Sequence, residues 1–166
     1  MKYAIVYSSR TGNTKLLAET LRESLPAEEC IYFGTPDPAA LQAQRIYVGF
    51  WTDKGSCDGE VAELLKAVTD QEIFLFGTAG FGGSQEYFDK VLDRVVKNLP
   101  EGAQLVGRFM CQGKMPLSVR QRYEAMAQGD GKVPNIQQML DNFDKALSHP
   151  DERDLNALRA AVPSVR

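Results

Sequence analysis

The sequence predicts an α/β fold, a three-layer α/β/α sandwich around a five-stranded parallel sheet. Three observations carry this. Short apolar runs alternate with longer stretches of helical period, which is how a chain of βαβ units reads. The runs are nearly continuous rather than alternating, as strands covered on both faces are. The length of 166 residues, with 43% hydrophobic and 25% charged side chains, suits one domain with a full core.

The elements follow in order along the chain. Tyr3-Ala4-Ile5-Val6-Tyr7 is the first strand, and Leu16, Leu17, Leu21 and Leu25 mark a helix stopped at Pro26. Cys30-Ile31-Tyr32-Phe33 is a weaker second strand, and Arg45 to Phe50 a third. A helix over Val61, Leu64, Leu65 and Val68 takes Asp58 as its N-cap. The fourth strand, Glu72 to Phe76, leads to a stripe of Phe88, Val91, Leu92, Val95, Val96 and Leu99, entered from Ser84 and ended by Pro100. Leu105 to Met110 is the fifth strand. Beyond it come a short helix near Ser118 to Met126, a turn at Gly129-Asp130-Gly131, and a long helix over Ile136, Met139, Leu140, Phe143 and Leu147. Residues 1–149 are expected to form the domain, and 150–166 a helical tail packed on it through Leu155, Leu158 and Val162.

Charge and cysteine usage narrow the function. Nineteen Lys and Arg against 22 Asp and Glu give a net charge of −3, which offers no electrostatic reason to bind nucleic acid or an anionic membrane. No apolar run is long enough to span a bilayer, and the chain enters a strand at once without a signal-peptide layout. Cys30, Cys57 and Cys111 are too scattered for a disulfide framework, and the single His149 suggests no zinc site. A cytoplasmic protein, monomeric or weakly dimeric, is the expectation.

The strongest chemical signal is Ser8-Ser9-Arg10-Thr11-Gly12-Asn13-Thr14, between the first strand and its helix. Backbone N–H groups at a helix N-terminus, with nearby hydroxyls, are what a bound phosphate requires. The run lacks the Gly-Lys-Ser/Thr of a triphosphate loop and is not Gly-x-Gly-x-x-Gly, so a monophosphate fits better than a dinucleotide. Two more loops follow later strands. One is Gly49-Phe50-Trp51-Thr52-Asp53-Lys54-Gly55, whose aromatic residues can lie against a flat ring. The other is Gly77-Thr78-Ala79-Gly80-Phe81-Gly82-Gly83-Ser84, whose glycines let backbone approach a ligand.

Ser9-Arg10-Thr11-Gly12-Asn13-Thr14 after a first strand resembles the FMN-phosphate loop of the flavodoxins. The resemblance extends from Met1 to about Leu147. In that family FMN sits at the topological switch point of a sheet ordered 2-1-3-4-5. The resemblance implies that Ser8, Ser9, Arg10, Thr11, Gly12, Asn13 and Thr14 cradle the phosphate, with Thr11, Asn13 and Thr14 the main donors. It implies that Trp51 covers one ring face, with Phe50, Thr52 and Gly55 around it. Thr78, Ala79, Gly80, Phe81 and Gly82 then meet the pyrimidine edge and the outer side.

The sequence also departs from typical flavodoxins. The tyrosine that commonly stacks on the outer flavin face is missing, Phe81 is displaced, and Tyr87 reads as the start of a buried helix face. The near-neutral charge differs from the acidic surfaces of many relatives. Gly49 to Gly55 and Phe109-Met110-Cys111-Gln112-Gly113-Lys114 resemble a branch distinct from the short-chain carriers, with Lys114 read first as a solvated surface lysine and alternatively as facing reduced flavin or a partner, and Cys111 as a small buried hydrophobe.

Three functions follow. The first is an electron carrier exchanging electrons between FMN and a redox partner protein. The second is an FMN-dependent NAD(P)H oxidoreductase with an open flavin face. The third is a flavin-free docking module of the same fold. A Mg²⁺-binding receiver is excluded, because Tyr7-Ser8-Ser9 and Phe50-Trp51-Thr52 provide no carboxylate at the two strand ends.

Overall fold

Five strands form the sheet: β1 (Tyr3–Tyr7), β2 (Cys30–Gly34), β3 (Arg45–Trp51), β4 (Glu72–Ala79) and β5 (Gln104–Gln112). The computed structural model describes residues 1–129 and 134–164. All strand pairs are parallel, and the order is β2-β1-β3-β4-β5, as the resemblance implied. The crossovers leaving β1 and β3 pass to opposite faces, so a crevice opens at the C-terminal ends of these two neighbours.

Alternation along each strand builds two cores. On one face Tyr3, Ile5, Tyr47, Phe74 and Phe76 meet Leu17, Ala18 and Leu21 of α1 (Asn13–Ser24). On the other, Ala4, Val6, Ile46, Val48, Phe50 and Leu75 meet α2 (Gly59–Lys66) and α3 (Gln85–Val96) through Val61, Leu65, Val91, Leu92 and Val95. Each such aliphatic or aromatic side chain, fully buried, stabilises the fold by roughly 1.5–3 kcal/mol. The predicted caps form: the carboxylate of Asp58 accepts from Val61 N–H at 3.1 Å, and Ser84 Oγ from Tyr87 N–H at 3.2 Å.

The region after β5 holds three helices, as expected, and its C-terminal one packs on the domain. α4 (Leu117–Gln128) and α5 (Ile136–Ala146) pack on each other, with Tyr123, Phe143 and Ala146 their only buried residues. The helix that joins α1 in covering the sheet is α6 (Glu152–Ala161), whose Leu158 is fully buried in that core. Reciprocal capping starts α6: the Asp151 carboxylate accepts from Asp154 N–H at 3.0 Å and the Asp154 carboxylate from Asp151 N–H at 2.8 Å. The expected turn at Asp130-Gly131 lies outside the described residues. Among those residues no helix is long and apolar enough to cross a membrane.

β4 runs three residues past its expected end at Phe76, so Thr78 and Ala79 are strand residues. Gly77 reads as the start of a loop, yet it pairs with Phe50 while Gly49 pairs with Phe76. Each aromatic ring lies across the glycine of the neighbouring strand: a Cβ on Gly49 would stand 2.3 Å from the Phe76 ring, and one on Gly77 2.4 Å from the Phe50 ring. A ring laid over a glycine gives it the packing that its missing side chain lacks. The pairing continues beyond Gly77 for that reason.

Gly49→Ala should destabilise the protein by about 1–3 kcal/mol through overpacking against an immobile ring. Urea unfolding followed by circular dichroism measures this, and a change below about 0.5 kcal/mol would mean that the ring yields freely.

Candidate functional site

The site begins where β1 ends. Ser8 N–H donates to the Gly49 carbonyl at 3.0 Å, continuing the β1–β3 ladder by one residue. The chain then turns through Gly12 at φ 89, a left-handed conformation that glycine adopts without strain, and enters α1. No side chain caps the helix from the N-cap position. Ser9 Oγ, three residues upstream, accepts instead from Gly12 N–H at 3.2 Å and Lys15 N–H at 3.3 Å. This end of α1 therefore presents N–H donors to an acceptor oxygen, where the helix dipole favours negative charge.

Two residues of the helix's first turn fasten it. Thr14 is buried; its hydroxyl donates to the Phe50 carbonyl at 3.1 Å and lies 3.0 Å from the Thr78 hydroxyl. Asn13 Nδ2 donates to the Lys114 carbonyl at 2.8 Å and to Thr11 Oγ1 at 2.9 Å. Thr52 adds a third tie, donating from its N–H at 2.9 Å and its hydroxyl at 2.8 Å to the Thr78 carbonyl. The first loop, β3, β4 and the segment after β5 are thereby held together by hydroxyl and amide side chains.

Between them lies a cavity of about 400 Å³, within the usual range for small-molecule sites. The first loop contributes Arg10, Thr11 and Asn13, and the second Trp51, Thr52, Lys54 and Gly55. The third contributes Thr78, Ala79, Gly80, Phe81 and, from α3, Tyr87. Lys114, Met115 and Pro116 after β5, with Ser118, Val119 and Arg122 of α4, close the remaining side. The Arg10 guanidinium stands over the Trp51 ring, 5.5 Å from its centroid.

Ten of the sixteen residues expected at a site line this cavity, and six do not. Ser8 turns its hydroxyl to the Asp58 carboxylate, which also caps α2. Ser9, Gly12 and Thr14 shape the loop and anchor the helix as described. Phe50 is fully buried in the core against Gly77, beneath the cavity floor. Gly82, at φ 90, lies on the Tyr87 ring, 2.4 Å from where its Cβ would be.

Lys54, Met115, Pro116, Ser118, Val119 and Arg122 line the cavity without a sequence signal of their own, while Tyr87 is legible both as the start of a buried helix face and, with Phe81, as a border of the opening. Tyr87 does pack against the core, but it lines the cavity as well. The nearest signal was Gly113-Lys114-Met115-Pro116 at the end of β5, on the side of the sheet where parallel strands bind ligands. Glycine is needed twice there, because a Cβ on Gly113 would stand 2.4 Å from the Asn13 amide and one on Gly80 2.3 Å from Met115.

The lining contains no His, Cys, Asp or Glu, so it offers neither a carboxylate–imidazole pair nor a thiolate for acid–base or nucleophilic chemistry. Cys111 is buried behind β5, where desolvation pushes its thiol pKa far up and keeps it protonated. His149, Asp151 and Asp154 cluster at the start of α6 and do not line the cavity, with His149 Nδ1 2.7 Å from Asp154 Oδ2. Their groups are occupied at the start of α6. The cavity is built for binding: hydroxyls and N–H donors at one end, aromatic rings along its walls.

A model of the flavodoxin domain matches residues 4–163. The chain belongs to the flavodoxin domain family. It is 45% identical to the flavodoxin-like domain-containing protein BilS of Clostridium symbiosum, covering 96% of this chain and 93% of that one. With the BilS protein of Clostridioides difficile it shares 30% identity, over 93% and 90% of the two chains. The crystal structure of oxidised flavodoxin 1 from Bacillus cereus is similar in fold, with a TM-score of 0.53 at 18% identity, over 89% of this chain and all of that one, 100%. In this flavodoxin domain the cavity occupies the switch-point crevice between β1 and β3.

Thr14→Val keeps the side-chain shape but removes both hydroxyl contacts at the crevice floor. It should lower stability by about 1–3 kcal/mol through the buried groups left unpaired. Thr14→Val combined with Thr78→Val should cost less than the sum of the two. Urea denaturation of the four proteins measures that coupling, and strict additivity would dissolve it.

Proposed function

We propose that this chain binds FMN in the crevice and serves as an electron carrier for a redox partner protein. The observation that supports this best is that a helix N-terminus left uncapped by its N-cap residue and an aromatic wall meet in one cavity at the switch point. The residues fit the group. Gly12 leaves open space at its Cβ position, so the loop backbone is free to meet a phosphate, and the cavity carries cations and hydroxyls but no carboxylate. FMN, when bound, supplies one- and two-electron redox chemistry, which the protein tunes by position and electrostatics.

Each residue then has a definite task. Backbone N–H groups of the first loop and of α1, with Ser9 and Thr11, hold the phosphate, and a phosphate oxygen takes the acceptor role that Ser9 Oγ plays towards Gly12 and Lys15. Asn13 and Thr14 act by fixing the loop, since their side chains are occupied with Lys114, Phe50 and Thr78. Trp51 offers its ring face to the isoalloxazine, with Arg10 moving aside from it. Phe81 and Tyr87 border the outer side and exclude water there. Lys114 and Arg10 lower the energy of added negative charge on the ring.

Titration with FMN, followed by flavin absorbance and fluorescence quenching, tests the reading. One FMN per chain is expected, and riboflavin, lacking the phosphate, should bind at least about a hundredfold more weakly through lost charge-assisted hydrogen bonds. Equal affinity for the two would remove the phosphate assignment, and no uptake of either would favour a flavin-free docking module. Trp51→Ala should weaken FMN about tenfold by loss of ring contact while leaving the fold intact. Unchanged affinity in a folded variant would sink the stacking role. Direct bleaching of the bound flavin by NADPH would assign the protein to the reductases instead.

A further inference from the structure

The mouth of the crevice is cationic in a chain that is otherwise acidic. Arg10, Lys54, Lys114 and Arg122 line it, no Asp or Glu does, and all four are exposed. Removing these four positive charges from a total of −3 leaves −7 for the rest of the chain. Some surface cations elsewhere are paired: Arg108 with Asp89 and Asp93, Arg120 with Glu124 and Asp144, Lys90 with Glu86. Among the described residues none of the four rim cations takes part in an ion pair.

The nearby carboxylates Asp53 and Asp58 form no ion pair with them. Asp58 accepts from the Ser8 hydroxyl and from Val61 N–H. Asp53 is half-buried in a tight turn in which its N–H and carbonyl bond to Ser56 at 2.7 and 3.1 Å. That turn holds Lys54 exposed at φ 51, a conformation uncommon outside glycine, asparagine and aspartate. One exposed apolar side chain stands at the same mouth, and a second lies next in sequence to residues that line it. Phe81 is 49% exposed and lines the cavity, and Leu117 is 64% exposed between Pro116 and Ser118, which both line it.

We propose that this rim is the docking surface for a redox protein that presents an acidic face. Carboxylates of the partner meet Lys54, Lys114 and Arg122, and its apolar centre meets Phe81 and Leu117. The inference rests on the carrier reading and names the kind of partner that reading lacks. A protein surface fits better than a small anion because the charges come from four separate segments and share the mouth with the exposed Phe81. A charged rim around a small apolar centre is the anatomy of a transient interface. The remainder of the chain is net negative, so the field favours an acidic partner at the rim and biases its orientation.

The sole tryptophan, Trp51, reports the field at the mouth without any flavin. In the flavin-free protein at low salt, iodide should quench its fluorescence several-fold more efficiently than caesium. Lys54→Glu with Arg122→Glu should reverse that order, and Lys54→Gln with Arg122→Gln should fall between. Binding is then measured by NMR shift perturbation, with an acidic plant-type ferredoxin and a basic cytochrome c as probes, for flavin-free and FMN-treated protein. Ferredoxin should bind at the Lys54, Lys114 and Arg122 signals, weaken steeply with salt, and lose about tenfold or more in affinity on charge reversal. Preferred binding of cytochrome c, or ferredoxin binding indifferent to the Gln and Glu variants, would overturn the inference. Ferredoxin docking at the rim of a protein that takes up no FMN would instead preserve the docking surface and remove the carrier reading.

Discussion

The exchange of rings and glycines between β3 and β4 is the constraint on which the site depends. Phe76 covers Gly49 on the α1 side, and Phe50 covers Gly77 on the α2 and α3 side. Because Gly49 has no side chain, α1 comes close: Thr14 Cγ2 lies 3.0 Å from where a Cβ would be. That approach lets the Thr14 hydroxyl reach the Phe50 carbonyl and the Thr78 hydroxyl. The N-terminus of α1 is thereby held to the ends of the two central strands. A larger residue at position 49 would push apart the phosphate-type loop and the aromatic wall.

Above this floor the cavity is closed by material from the far end of the chain. The Gly113–Pro116 segment packs on the first loop through the Asn13 amide and the Lys114 carbonyl. Lys114 N–H in turn donates to the His149 carbonyl at 2.9 Å, linking the segment to the entry into α6. Asn142 of α5 donates to the Gly80 carbonyl at 2.9 Å and accepts from Gln112 at 3.0 Å, so the helical hairpin also steadies the glycine-rich third loop. The residues that follow β5 thus do two jobs. α6 completes the sheet's cover, while α4 and α5 build a wall beside the crevice.

That wall changes the electrostatics of the site as well as its shape. It brings Arg122 and the Lys114 side to a mouth that already has Arg10 and Lys54. The formal charge of −3 gives no sign of this, because it averages a cationic mouth with an acidic remainder. A charged ligand or partner responds to the local field and not to the sum.

By itself the sequence determined the fold class, the five strands, their βαβ series, the caps of α2 and α3 and the loop at the first strand end. These are local properties: apolar period, capping residues and turn chemistry are readable within a window of ten or twenty residues. It also identified ten residues of the lining, because in a parallel sheet the C-terminal strand ends converge on one edge. Only the tertiary structure decided the rest. Phe50 went to the core because the alternation of β3 points it at Gly77, and β4 continued past that glycine because a ring from the next strand covers it. α6 covers the sheet because Leu158 fits the core beside Leu17 and Leu21, while α5 buries only Phe143 and Ala146. Met115, Val119 and Arg122 joined the crevice through packing between elements more than sixty residues apart in the case of Arg10 and Arg122. No local window of sequence contains both sides of such a contact, so the folded chain alone brings them together.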